Sequence, residues 1–470
     1  MTPVDLTIVL GYWSRTVSLR DRPITDLVIM NLIERGTMRL RKILTVAIAT
    51  GALFTGMTVL PAQAATEVKM ILWPGPEGEA MQKVVDAYNA GQGKKDGVVV
   101  KQVLLSRDNT FAKEAALMKA KSSEYDVYFT ASYLVGQHAP YLSELKGIND
   151  KVYLKASIDG LKVNKKQMAL PLDTSLHFMY YRTDLVSSLS SAANTAKYKQ
   201  ISKTVLGKEL MPNTDPETWN WDDALATAAF FTQKYNPESP TKYGYALPAK
   251  NLLYNTMIWN DVLWGLGGNW FTKGKPSINT AAGKAAIDVY RTIYTKELTS
   301  PDSSQWEYAE TNAALTSGNA MMGLQWNAAY SELSSTGATK DKVGIAVPPG
   351  KGQRTHVHAL AVGVNKYSKN QAAAQKWMKH LSTVKAMENY AAAGGVPSMP
   401  KILNTMVSTN ASFANIITYA GKYGYAEAGG PREFDIYAKL AEVLSPAWVG
   451  QKTAEEVAGA ADAALKSLRK

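Results

Sequence analysis

Five histidines are scattered along the chain, at His138, His177, His356, His358 and His380, and two of them form the pair His356-Val357-His358. On a strand, residues two apart share a face, so imidazoles at this spacing can chelate a metal ion. No run of carboxylates lies near the pair in sequence, and a structural role is expected for it. Tyr180-Tyr181, followed by Arg182, offers the phenolic oxygens that a ferric-ion site uses. Such a site needs oxygen donors beyond the pair, and Phe178 to Tyr181 reads more simply as a strand alternating core and surface. The motifs H-E-x-x-H, G-x-S-x-G, Walker A and G-x-G-x-x-G are all missing, and no catalytic signature stands out.

Tryptophan carries the strongest signal. The chain has 11, of which Trp259, Trp264 and Trp270 crowd around Gly267-Gly268, with Trp306 and Trp326 following. Flat apolar rings stack on sugar rings, while amide and carboxylate side chains bond to hydroxyl groups. The chemistry to expect is recognition of a carbohydrate.

These side chains must be positioned by a large fold. At 470 residues, 46% of them hydrophobic and 20% charged, the chain suits two packed lobes. The absence of cysteine removes disulfides, thiolate metal sites, cysteine nucleophiles and a lipid-bearing cysteine anchor. The formal charge of +12 is spread as single residues and pairs, unlike the clustered footprint of a nucleic-acid binder.

The basic cluster Arg39, Arg41 and Lys42, the apolar run Ile43 to Leu60 and the small-residue site at Ala62-Gln63-Ala64 follow the order of a secretory signal. Cleavage is expected after Ala64. The run approaches membrane-spanning length, but its glycines and threonines and the cleavage site argue against an anchor. Asp21, Asp26 and Glu34 do not suit a signal, so the expected translation start is Met38. The mature protein then carries a charge of +9 and resides in a periplasm, without a lipid anchor.

In the mature chain, Val68 to Trp73 reads as a strand ended by Pro74-Gly75-Pro76, and Glu77 to Asn89 as a helix through Met81, Val84, Val85 and Tyr88. GVVVKQVLL, FAKEAALMKAK and YDVYFTAS continue the strand and helix alternation of an α/β lobe. From about Asp215 to Gly337 the texture becomes helical, with a helix expected over Trp221 to Lys234. Strands return at Val343 to Val347 and His358 to Val364, before helices over Asn370 to Leu381 and Ala454 to Leu468.

From Val68 to Lys470 the chain resembles the extracellular solute-binding proteins of ABC importers, family 1, the group that includes maltose-binding protein. The segments that carry the likeness are MILWPGPEGEAMQKVVDAYN, YDVYFTASYLVGQHAPYLSELKGI, MALPLDTSLHFMYYRTDL, PETWNWDDALATAA, YGYALP with NDVLWGLGGNWF, TSGNAMMGLQWNAAYSEL, KVGIAVPPGKG and GGVPSMPKIL, in this order. The resemblance implies a two-lobed, type II-like periplasmic-binding fold with ligand in the interlobe cleft and hinge closure around it. It places chain crossings near Asp173-Thr174-Ser175, His358 to Ala361 and Gly394 to Pro397. The lobes implied are 65–174 with 360–394, and 175–359 with 395–470.

Carried onto this sequence, the implied cleft residues are Trp73, Glu77, Thr130, Ser132, Asp173, Thr174, Asn255, Trp259, Asn260, Trp264, Trp326 and Arg432. The implied function is capture of a sugar, polyol or short oligosaccharide and delivery to the permease subunits, by a monomer without catalysis, cofactor, metal or nucleic-acid partner. Two alternatives stay open. One is a charged solute: ferric ion at Tyr180-Tyr181, a phosphorylated polyol aided by Arg432, or a polyamine held by Asp173 and Glu77. The other is a secreted polysaccharide-cleaving enzyme with Glu77 and Asp173 facing each other across a sugar.

Overall fold

The computed structural model describes residues 64–426 and 430–469. The expected start at Met38 and the body of the secretion signal lie outside the described residues.

Strand β1 (Thr66–Leu72) leads into helix α1 (Pro76–Ala90), and β2 (Val98–Leu104) returns parallel to β1, with Thr66 opposite Val98 and Leu72 opposite Leu104. Met81, Val84, Val85 and Tyr88 are buried, the stripe that a 3.6-residue period lays against a sheet. Helix α2 (Arg107–Lys119) precedes β3 (Val127–Ala131), whose five residues are all buried. β4 (Leu170–Arg182) is the longest strand, and helix α3 (Trp221–Phe230) opens on a capping box between Asn220 and Asp223. α3 stops four residues before the expected Lys234. Thr232 donates its hydroxyl to the Ala228 carbonyl and accepts from the Gly244 N–H, which ties the chain to the next strand.

That strand is β5 (Tyr243–Tyr245), followed by α4 (Leu253–Gly265), α5 (Ala281–Thr295), β6 (Ala320–Trp326), β7 (Val343–Ala346) and β8 (Thr355–Val364). Helices α6 (Gln371–Leu381) and α7 (Val384–Ala392), strand β9 (Gly424–Tyr425), and helices α8 (Glu433–Trp448) and α9 (Ala454–Leu468) complete the elements that matter here.

Nine strands form one sheet in the order β2-β1-β3-β8-β4-β6-β5, with β7 on β4 and β9 on β8. Two strands run through both lobes. The first half of β4 pairs with β8 and its second half with β6 and β7, while the second half of β8 pairs with β3. The segments expected as crossings meet at this waist: Leu360 lies opposite Asp173, and Asp173 forms an antiparallel bridge with Pro397. The pairing register slips between Leu360 and Ala361, an irregularity of the kind that bends a strand. The lobes also touch away from the sheet, where Phe434 of α8 stacks on Tyr133 at 6.4 Å and meets the edge of Phe111 at 5.6 Å.

In the first lobe the Glu114 carboxyl is buried and makes no ion pair among the described residues. Glu114 of α2 is fully buried and accepts the Phe129 N–H at 2.7 Å. Burial pushes its pKa well above the ordinary 4.5, more strongly than that hydrogen bond pulls it down. The fold therefore holds this proton more tightly than the unfolded chain does. The stability it contributes is fully present below pH 4.5 and is lost as pH rises through the folded value. Glu114→Gln keeps the acceptor and removes the charge, so its stability relative to the parent should rise as pH increases above 4.5 in urea titrations. A difference that does not vary with pH would show that the carboxyl is not titrating in the fold.

Candidate functional site

At the waist lies a cavity of about 240 Å³ whose walls come from both lobes and both crossing strands. The first lobe gives Trp73, Pro74, Glu77 and Tyr133; β4 and β8 give Ser175, His358 and Leu360; the second lobe gives Tyr254, Glu307, Tyr308, Trp326 and Ala328.

The turn after β1 places Trp73 and Glu77 together. Gly75 sits at φ 120°, in the left-handed region that favours glycine, and a side chain at Gly78 would drive into the Trp73 carbonyl oxygen. The first turn of α1 can therefore fold back onto the strand end. Trp73 is wedged against Phe129 at 3.9 Å and Phe111 at 6.1 Å, which holds its ring at the cleft wall.

Trp326 ends β6 on the opposite wall. Its ring meets His177 at 4.1 Å, His358 at 5.1 Å and Tyr254 at 6.4 Å, each in an edge contact. The imidazoles beneath it form a connected set. His358 and His356 share a hydrogen bond of 2.9 Å, His356 stacks on His177 at 5.3 Å, and His177 Nδ1 lies 2.6 Å from the Asp261 carboxylate. Asp261 also accepts the His356 N–H at 2.8 Å. Burial pushes the His177 pKa down to about 3 and the Asp261 carboxyl well up, each toward its uncharged form. The H-x-H pair is therefore structural support for Trp326, and no group of three metal-ligating His, Cys, Asp or Glu side chains exists among the described residues.

Of the twelve residues expected in the cleft, the structure brings Trp73, Glu77 and Trp326 together on the cavity wall. Asp173 lies behind it, buried, accepting the Tyr390 hydroxyl at 3.0 Å and the Val396 N–H at 2.8 Å. Burial, with the charge of Glu77 added, raises its pKa well above the ordinary carboxylate range. Thr174 turns away, its hydroxyl 2.7 Å from Ser398 and 3.1 Å from Ser157. Thr130 is fully buried in β3, and the Ser132 hydroxyl accepts the Ala359 N–H.

The second-lobe choices are corrected by α4, which is buried on every side after its first residue and thus shows no amphipathic stripe. Asn255 donates to the carbonyls of Lys250 and Trp306, both at 3.0 Å. Trp259 donates to the Ala286 carbonyl and packs on Trp448. Asn260 accepts from the Trp270 indole, and Trp264 packs on Tyr425 and parallel to His356. These four sit in the core. Arg432 is at the surface, paired with Asp435 at 2.9 Å.

Tyr133, Ser175 and Tyr254 line the wall in place of their expected neighbours Ser132, Thr174 and Asn255. A single step on a strand reverses the face presented, and on a helix it turns the side chain by about 100°. His358 was visible as half of the H-x-H pair. Glu307 and Tyr308 carried no signal in the sequence beyond following Trp306.

A larger hollow of about 830 Å³ lies wholly in the second lobe, between the start of α3, the end of α4, α5 and Gly350 to Gly352. It contains none of the expected cleft residues and draws on one lobe only. The waist cavity, with aromatic rings converging from both lobes, is the site that closure of the lobes can complete.

The comparisons with known proteins agree with this architecture. Maltose-bound MalE3 of T. maritima superposes with a TM-score of 0.71 at 19% identity, over 86% of this chain and 100% of that one. The ribitol complex of a solute-binding protein from Agrobacterium radiobacter K84 gives 0.68 at 17% identity, over 86% and 98%. A Deinococcus radiodurans protein described as a probable ABC transporter-binding protein is 27% identical over 64% of this chain and 68% of its own. A probable amino-acid ABC transporter periplasmic-binding protein of Sinorhizobium fredii is 22% identical over 71% and 72%. The structural likenesses establish the two-lobed periplasmic-binding fold. The family model of bacterial extracellular solute-binding proteins matches residues 61–415, and the chain belongs to that family.

Proposed function

We propose that the protein is the periplasmic solute-binding component of an ABC importer, capturing a sugar, polyol or short oligosaccharide and handing it to the permease subunits as a monomer, without catalysis. The observation that carries the substrate class is the waist cavity, where Trp73, Tyr133, Tyr254, Tyr308 and Trp326 surround a space also reached by Glu77, Ser175 and His358. Apolar rings with a few converging polar groups are what stacking and hydroxyl recognition require. Structural neighbours bound to maltose, ribitol and D-mannitol support the same class. At about 240 Å³ the cavity is below the usual ~300–1,000 Å³ of ligand pockets, which favours a single ring or an open polyol over a long chain.

The lobes in this reading are 65–174 with 360–394 and 175–359 with 395–470, hinged on β4, β8 and the 394–397 segment. The signal-like segment supports secretion, and among the described residues no helix is long and apolar enough to cross a membrane. Cleavage chemistry is disfavoured because Asp173 is occupied behind the wall by Tyr390 and Val396 and does not face Glu77 across the cavity.

A thermal-shift screen of the purified protein against sugars, polyols, amino acids and ferric citrate tests the proposal. A true ligand at about a hundred times its dissociation constant adds ~2.7 kcal/mol to stability. One sugar or polyol should raise the melting midpoint while amino acids do not. A shift with amino acids or ferric citrate alone would refute the carbohydrate reading.

A further inference from the structure

We propose that the captured solute is an amino-bearing sugar or polyol, its ammonium held between the aromatic walls and the Glu77 carboxylate. This rests on the carbohydrate reading above and narrows it.

Of the charged alternatives open from sequence, the structure disfavours two. Tyr180 donates its hydroxyl to the carbonyls of Trp326 and Asn327, both at 3.2 Å, and is core rather than a metal ligand. Arg432 is engaged with Asp435 at the surface, and among the described residues no lysine or arginine lines the cavity. A phosphate would enter beside the Glu77 carboxylate with no counter-charge from those walls.

A cation meets the opposite situation. Glu77 is on the wall and makes no ion pair among the described residues, while Asp173 is buried behind it with no cationic partner. Burial, with the Glu77 charge added, drives the Asp173 carboxyl toward its protonated form, so the two acids disfavour each other's charge. An ammonium at Glu77 relieves that opposition.

The aromatic lining adds a second reason. Trp73, Tyr133, Tyr254, Tyr308 and Trp326 line the same cavity as Glu77. Electron-rich ring faces attract a cation as well as stacking on a sugar.

The test is isothermal titration of the purified protein, at mildly acidic pH where the amines are protonated, with matched sets of sugars. The sets are glucosamine, galactosamine and mannosamine, each with its hydroxyl parent and its N-acetyl form, and putrescine is added as an amine without a ring. One amino sugar should bind about tenfold or more tighter than both its parent and its N-acetyl form. Glu77→Gln, checked by thermal melting to be folded, should remove most of that ratio. If the hydroxyl parents bind as tightly as the amino sugars, or if Glu77→Gln leaves the ratio untouched, this inference is overturned and the carbohydrate reading stands. If no sugar in any set binds, this inference is overturned and the sugar and polyol screen above decides the carbohydrate reading, whereas if putrescine outbinds every sugar the carbohydrate reading falls with it.

Discussion

Replacing Trp326 with alanine weakens binding of the captured solute by about 2–4 kcal/mol, roughly 30- to 1,000-fold, the loss typical of a central aromatic anchor. The ring lies at the end of β6, on the cavity wall, and is fixed by His177, His358 and Tyr254 through contacts of 4.1 to 6.4 Å. It is therefore already oriented before ligand arrives, and its truncation removes a stacking face without freeing a mobile side chain. Trp326→Phe should recover part of the affinity, because a smaller flat ring fits the same slot. Calorimetric titration reads both variants. Unchanged affinity in Trp326→Ala would mean that the solute does not enter the waist cavity.

The second large effect is on stability and not on binding. Trp259→Ala should lower the unfolding free energy by about 3–5 kcal/mol, the range for deleting a large buried aromatic. Trp259 is fully buried in α4, donates to the Ala286 carbonyl at 3.1 Å and packs against Trp448. The deletion leaves a cavity and removes the indole hydrogen bond to the Ala286 carbonyl, which keeps its own partner within α5. Folded Trp259→Ala should still bind solute, so denaturant titration and calorimetry together separate the core tryptophan from the cleft one. A variant that melts like the parent yet no longer binds would place Trp259 in the site after all.

The contrast between these two tryptophans shows where sequence reading reached its limit. Both stand in conspicuous segments, and composition alone treats them alike. Trp326 ends strand β6 at the cavity wall. Trp259 belongs to a helix with apolar residues all round, which periodicity cannot orient. Asn255 and Asn260, the polar partners expected beside it, bond to Lys250, Trp306 and Trp270 within the second lobe. Arg432 was placed by its motif, yet its guanidinium is held by Asp435 three residues on.

Short-range order was legible because it depends on local chemistry. The turn at Gly75, the amphipathic stripe of α1, the capping of α3 and the alanine-rich α9 all follow from neighbouring residues, as did the strands that bracket the waist. The absence of cysteine and the tryptophan content narrowed the chemistry before any contact was known. What only the tertiary structure decided was which face of each crossing strand looks into the cleft, and which residue of each neighbouring pair lines the waist cavity. Thr174 and Ser175 are adjacent, but pairing of β4 with β8 turns the first toward Ser157 and Ser398 and the second toward the cavity. That choice is set by contacts between residues more than two hundred positions apart, as between Thr174 and Ser398, and no local pattern encodes it.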